Sequence, residues 1–157
     1  MKLVYLYIEK YKNIENQGFN FSPEFDCKFE NGILTIDKND KFRNSIFPDN
    51  INVTAIVGKN GSGKSSVFEF LFKLNKNTTY KYIVLLKNSN KDLYLYNNIN
   101  IDLNSSLDIK SAEKINNLYY INISHFFDTN ILESNNYIHL YKDFSYPLDE
   151  KDSYNLF

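Results

Sequence analysis

Eight consecutive residues, Gly58-Lys59-Asn60-Gly61-Ser62-Gly63-Lys64-Ser65, fit the spacing G-x-x-x-x-G-K-[ST]. Each residue type in that spacing has a chemical use. Glycines permit the tight turns that bring successive backbone N–H groups against a phosphate. A helix starting at Lys64 adds unpaired amides and a partial positive charge. Lys64 is the residue to reach β- and γ-phosphates, and Ser65 the one to place its hydroxyl on Mg²⁺. Asn60, Gly61, Ser62 and Gly63 are expected to contribute backbone N–H groups, with Gly58 opening the loop and Ser66 approaching the α-phosphate. Lys59 is expected to face solvent. The bland alternative is a glycine-rich turn that binds nothing. The implied chemistry is binding of a nucleoside triphosphate, with ATP and Mg²⁺ as ligands.

Such a loop needs a strand before it and a helix after it. Residues 51–57, Ile-Asn-Val-Thr-Ala-Ile-Val, are β-branched and apolar and predict a buried strand. Val67, Phe68, Leu71, Phe72 and Leu74 recur at helical spacing and predict a helix over 64–74, closed near Lys76. Upstream, residues 2–9 alternate with apolar side chains on both faces, so both faces are expected to be covered. Phe19 and Phe21 start a second extended piece. Residues 25–29 and 33–36 flank Asn31-Gly32, the dipeptide of a two-residue hairpin turn. Downstream, residues 80–86 and 92–96 predict a second hairpin, which 99–103 extend. A short helix is expected around 111–117 and a further strand over 118–123. The fold class expected is α/β of P-loop NTPase type, a mixed sheet with antiparallel hairpins around a strand–P-loop–helix core.

Composition sets the outer limits. The chain has 157 residues, enough for one domain with a core, and a formal net charge of −1, so no basic field draws it onto nucleic acid. Cys27 is the only cysteine, which excludes an internal disulfide and suits a reducing, cytoplasmic compartment. No apolar run approaches the ~18 residues of a membrane span, so no membrane partner is expected. Tyr94 and Tyr96 share a strand face and read as packing residues, although bases can stack on such a face. His125 and Asp128 follow the last clear strand. There His125 fits either a strand-end bond or a phosphate contact, and Asp128 a loop cap or a water-mediated Mg²⁺ ligand. His139 reads as structural or exposed.

The motif Gly58-Lys59-Asn60-Gly61-Ser62-Gly63-Lys64-Ser65-Ser66 resembles the G-x-N-G-x-G-K-S-[ST] loop of ABC-type ATPase heads, in particular the SMC/RecF/OLD-like branch of bacterial AAA-family ATPases. Tyr7-Ile8-Glu9-Lys10-Tyr11-Lys12-Asn13-Ile14 is similar to the I-x-N-F-K-N-F segment that opens those heads. The stretch from Tyr120 to Asp128 is loosely similar to their strand and S-N-x-F-D segment. The resemblance implies that Lys12 and Asn13 lie beside the base or ribose; read as residues alone, they fit a solvated turn equally well.

The departures from that family are as informative. The only Asp-Glu pair is Asp149-Glu150, after Tyr146-Pro147-Leu148, so no apolar strand ends in the Walker B carboxylates. No glycine follows Gly63, which excludes an L-S-G-G segment, and Gln17 is the only glutamine. The expectation is therefore a single N-terminal ATP-binding lobe over 1–157, from an apparently incomplete ABC-type head. Its partner would be a second head or a C-terminal lobe, as a homodimer or a split protein. ATP binding without appreciable hydrolysis follows, and no catalytic residue is assigned. DNA repair or anti-phage defence is the setting the resemblance implies, with DNA left open as a partner. The rival reading is a non-catalytic protein-interaction module with a vestigial P-loop. A kinase is disfavoured, because Arg43 is the only arginine and cannot make an arginine-rich lid.

Overall fold

A computed structural model of the chain describes residues 1–42, 51, 53–74, 79–112, 120–124 and 137–141. The chain divides into two compact units, Met1–Ile115 and Asn116–Phe157. Among the described residues the architecture is mixed α/β, mostly strands with one helix.

In the first unit, β1 (Lys2–Tyr11) is paired on both edges. It runs antiparallel to β2 (Ile14–Asn20) on one side and to β5 (Tyr82–Lys87) on the other. A register shift between Leu3 and Tyr5 kinks its pairing with β5. β6 (Leu93–Asn97) pairs antiparallel with β5, and β8 (Ile109–Ser111) adds in parallel to β6. The resulting five-stranded sheet has the order β2-β1-β5-β6-β8. β3 (Phe25–Glu30) and β4 (Ile33–Lys38) form the expected hairpin, with Asn31 at φ 52° and Gly32 at φ 81°, the left-handed pair of a type I′ turn. With β7 (Asp102–Asn104) they make a second sheet, ordered β3-β4-β7.

The core lies between these sheets. Val4, Tyr5, Tyr7, Ile83, Leu85, Leu93 and Leu95 meet Phe25, Cys27, Leu34 and Ile36 there. Side chains on β1 and β5 alternate, so Leu6, Ile8, Val84 and Leu86 are buried on the other face. That face receives α1 (Lys64–Lys73), whose Phe70 ring meets Tyr11 at 5.2 Å and Tyr82 at 6.2 Å, centroid to centroid. The two apolar faces read from residues 2–9 are thus both covered. Asn20 ties the sheets through both ends of its carboxamide: Nδ2 donates to the Cys27 carbonyl (2.9 Å) and Oδ1 accepts from the Cys27 amide (3.0 Å).

Three expectations need correction or qualification. Residues 51 and 53–57 form no strand and are mostly exposed: Ile51 is 44 %, Val53 63 % and Val57 87 % accessible. An apolar, β-branched run supplies strand propensity, but a strand also needs a neighbour for its N–H and C=O groups. The described tie here is a side-chain one, from the Thr54 hydroxyl to the Phe21 carbonyl (2.8 Å). The strand–P-loop–helix core is therefore not shown: a glycine-rich loop precedes α1, with no strand ahead of it among the described residues. The extension of the second hairpin by 99–103 is not found either. Ile99 and Ile101 pack against the core and carry the chain across to the other sheet, where β7 pairs in parallel with β4. Of the short helix expected at 111–117, Ser111 ends β8 and Ala112 is irregular, while 113–117 lie outside the described residues.

In the second unit, β9 (Tyr120–Ser124) and β10 (Tyr137–Tyr141) pair in parallel, with His139 opposite Asn122. The strand expected over 118–123 matches β9, less residues 118 and 119, which lie outside the described residues. So do His125 and Asp128.

Candidate functional site

The site is built where α1 begins. Val67, Phe70 and Leu74 recur at i, i+3 and i+7 and are buried, which fixes the helix on the sheet, while Phe68 stays exposed. The helix keeps the expected bounds to within one residue. Its N-cap is Gly63, at φ 94°, with no side-chain cap and no acidic residue in the first turn. The Val67 amide closes the first turn on the Gly63 carbonyl (3.0 Å). Among the described residues no side chain competes for the amides that precede Val67, so none offsets their partial positive charge.

The loop ahead of the helix folds on itself. Gly61 is left-handed at φ 79°, and the Ser62 amide donates to the Lys59 carbonyl at 3.2 Å. Lys64 turns back over this curve, and its Nζ donates to the carbonyls of Gly58 and Lys59, both at 2.8 Å. No described carboxylate pairs with it. Among the described residues its charge is held by neutral oxygens alone, so an incoming anion would meet an ammonium with no described counter-charge. Ser65 and Lys59 are exposed, as are Gly58, Asn60, Gly61 and Ser62.

The turn joining β1 to β2 closes over the loop. Tyr11 pairs with Ile14, leaving Lys12 and Asn13 as a two-residue hairpin turn with Lys12 at φ 50°. Asn13 Nδ2 donates to the Gly61 carbonyl at 2.6 Å, and its Oδ1 accepts from the Ser66 hydroxyl at 3.1 Å. The structure thus brings Asn13 into the loop residues themselves, and places Lys12 on the flank of α1, paired with Glu69.

Glu69 is the residue that sequence reasoning missed. Its carboxylate takes the Tyr11 hydroxyl at 2.6 Å and the Lys12 ammonium, with Lys73 at 3.8 Å. Burial alone would raise its pKa, but hydrogen bonds from Lys12 and Tyr11 and the charges of Lys12 and Lys73 outweigh that and lower it. Burial, then the bond to Glu69, pushes the Tyr11 hydroxyl well above the usual tyrosine range. The available signal was the spacing Glu69–Lys73, an i,i+4 pair on one helix face. The 57 and 58 residues separating Glu69 from Lys12 and Tyr11 hide the rest.

No family model, curated protein or solved structure matches this chain. What the site can do must be read from its own residues.

These residues offer a loop of exposed backbone, the Lys64 ammonium with no carboxylate partner among the described residues, the exposed Ser65 hydroxyl and a helix start. That set suits an anion with several oxygens. Among the described residues no group of three or more His, Cys, Asp or Glu side chains could hold a metal by itself. The lone Cys27 is buried between the sheets; burial first, then the charges of Asp26 and Asp37, push its thiol up to about 12, which leaves it an inert core residue. Tyr96 is buried on β6, and Tyr94 is half-buried with Lys110 Nζ 5.6 Å from its ring centroid, an arrangement that favours packing over base stacking. No helix among the described residues is long and apolar enough to cross a membrane.

Proposed function

We propose that residues 58–66 bind a Mg²⁺-nucleoside triphosphate, and that the chain is the ATP-binding lobe of an SMC/RecF-like ATPase. One observation carries the reading. Lys64 lies at the first position of an uncapped helix, its ammonium held, among the described residues, only by carbonyls of the loop that would wrap a phosphate. Those two bonds are exchangeable for bonds to phosphate oxygens, which are the stronger acceptors for an ammonium. Ser65 would supply one ligand to Mg²⁺, with phosphate oxygens and water filling the other positions.

Binding is as far as these residues go. Hydrolysis needs a group that orients or deprotonates water, and residues 58–66 include no Asp, Glu, His or Gln to do so. A carboxylate supplied by a second head or lobe would complete the reaction. Exposure of Val53, Val57 and Phe68 around the loop favours a protein partner at this face. The same exposure favours the second reading, an interaction module whose loop no longer binds nucleotide.

Calorimetric titration with Mg²⁺-ATP separates the two. Binding that weakens about 10- to 100-fold in Lys64→Ala, the loss of one charge-assisted bond, supports the nucleotide site. A folded chain that releases no heat with Mg²⁺-ATP leaves the interaction module standing.

A further inference from the structure

We propose that Asn13 is a positioning residue of the phosphate loop, acting through Gly61 and Ser66 and not through a base or ribose. The inference rests on the reading of residues 58–66 as a polyphosphate site.

The geometry divides the carboxamide between two partners 48 and 53 residues away in sequence. Gly61 offers a carbonyl, so the Asn13 NH₂ must face it, and that orientation sends Oδ1 to the Ser66 hydroxyl. The carboxamide lies over the buried Gly63. A Cβ built on that glycine would meet Asn13 Oδ1 at 3.2 Å and Nδ2 at 3.3 Å. Asn13 thus touches the loop before, at and after the helix N-cap.

Holding the Gly61 carbonyl has a consequence inside the loop. A trans peptide points its C=O and N–H in opposite directions. With the Gly61 oxygen drawn to Asn13, the Ser62 N–H points inward, where it meets the Lys59 carbonyl that Lys64 also binds. Asn13 therefore sets the direction of one inward donor and bounds the curve around which Lys64 closes.

The turn carrying Asn13 is rigid enough for this. Tyr11 and Ile14 are both buried and paired with each other, and Glu69 holds Tyr11 and Lys12 against α1. The carboxamide is pinned from its own side before it pins the loop.

Asn13→Ala tests the assignment with two ligands and one measurement without ligand. Affinity is measured for Mg²⁺-ATP and for Mg²⁺-tripolyphosphate, which has no base or sugar. A positioning role predicts about a tenfold loss for both ligands, within the range of lost hydrogen bonds. A loss confined to ATP would mean a nucleoside contact and would overturn the proposal, as would unchanged affinity for both. In the nucleotide-free chain, hydrogen exchange at the Ser62 amide should speed up in Asn13→Ala; unchanged exchange overturns the proposal. If the parent chain binds neither polyphosphate, the nucleotide reading fails by itself, and the exchange result still decides the role of Asn13. Should Asn13→Ala not fold, Ser66→Ala leaves the turn intact, and its Ser62 exchange must rise in the same direction by a smaller factor.

Discussion

β1 and residues 51–57 are both apolar runs of strand-forming residues, yet the first is buried in the interior of its sheet, while residues 51 and 53–57 are mostly open to solvent. β1 has β2 along one edge and β5 along the other, and residues 4–8 are all buried. Residues 51 and 53–57 have no strand neighbour among the described residues, and Val53 and Val57 rank among the most exposed apolar side chains there. The difference lies in pairing rather than in side-chain pattern. Apolar area gives a segment reason to leave water, but its peptide groups must find partners before it can. A strand is therefore a property of a segment and its neighbours together.

The sharpest way to break that comparison is to truncate one side chain in each region. Leu85, fully buried on β5 opposite Tyr5 of β1, should cost about 2–5 kcal/mol as Leu85→Ala, since the cavity lies between two packed sheets. Val57→Ala should stay within about 0.5 kcal/mol, as expected of an exposed position. Urea titrations of the two variants measure both. Comparable losses would mean that Val57 is packed in solution after all.

The hairpin at Asn31-Gly32 was legible because the turn is local: two residues that tolerate φ above zero, flanked by apolar alternation, define it within a dozen positions. The helix after the loop was legible for a similar reason. Its buried face was less so, because Val67, Phe70 and Leu74 point inward while Phe68, an equally apolar side chain, does not. The periodicity admits neighbouring faces, and only the sheet beneath selects one. Residues 99–103 show the same limit for strands: their pattern marks extended chain but not which sheet will accept it. In the site, the loop could be read from its spacing alone. The Asn13 and Glu69 contacts join β1 to α1 across roughly a third of the sequence, and no local pattern announces them.

A middle-sized test compares two glycines, one beneath the loop contacts and one in an open turn. Gly32, at φ 81°, has open space where a Cβ would lie, with nothing within 4 Å, so Gly32→Ala should cost only the left-handed strain of about 1–2 kcal/mol. Gly63, at φ 94°, carries the same strain and also faces Asn13 and Ile14 at 3.2 Å. Gly63→Ala should therefore destabilise the chain by more than Gly32→Ala, and should weaken Mg²⁺-ATP binding where Gly32→Ala does not. Equal thermal shifts with equal affinities would show that the Asn13 side of the loop is slack. The comparison between buried and open segments would then stop at the helix N-cap.

The smallest expected effect concerns the carboxylate that joins the two regions. Glu69 stands on α1 and holds the last residue of β1, Tyr11, and the adjacent Lys12. Its pKa is lower in the folded chain than in the unfolded one. In the acidic range the unfolded state therefore binds more protons, so stability rises with pH through that window. The contribution is fully present at neutral pH and is lost as pH falls through the folded-state value. Glu69→Gln should lower the melting temperature at neutral pH, and the gap to the parent chain should narrow as the pH is taken down to about 3. Lys12 lies at the surface, so added salt should also narrow the gap at neutral pH. A gap that keeps its size in acid would assign the effect to the Tyr11 hydrogen bond, which a neutral glutamine oxygen can still accept only in part. In that case the loop is tied to β1 by geometry, with the charge of Glu69 as a bystander.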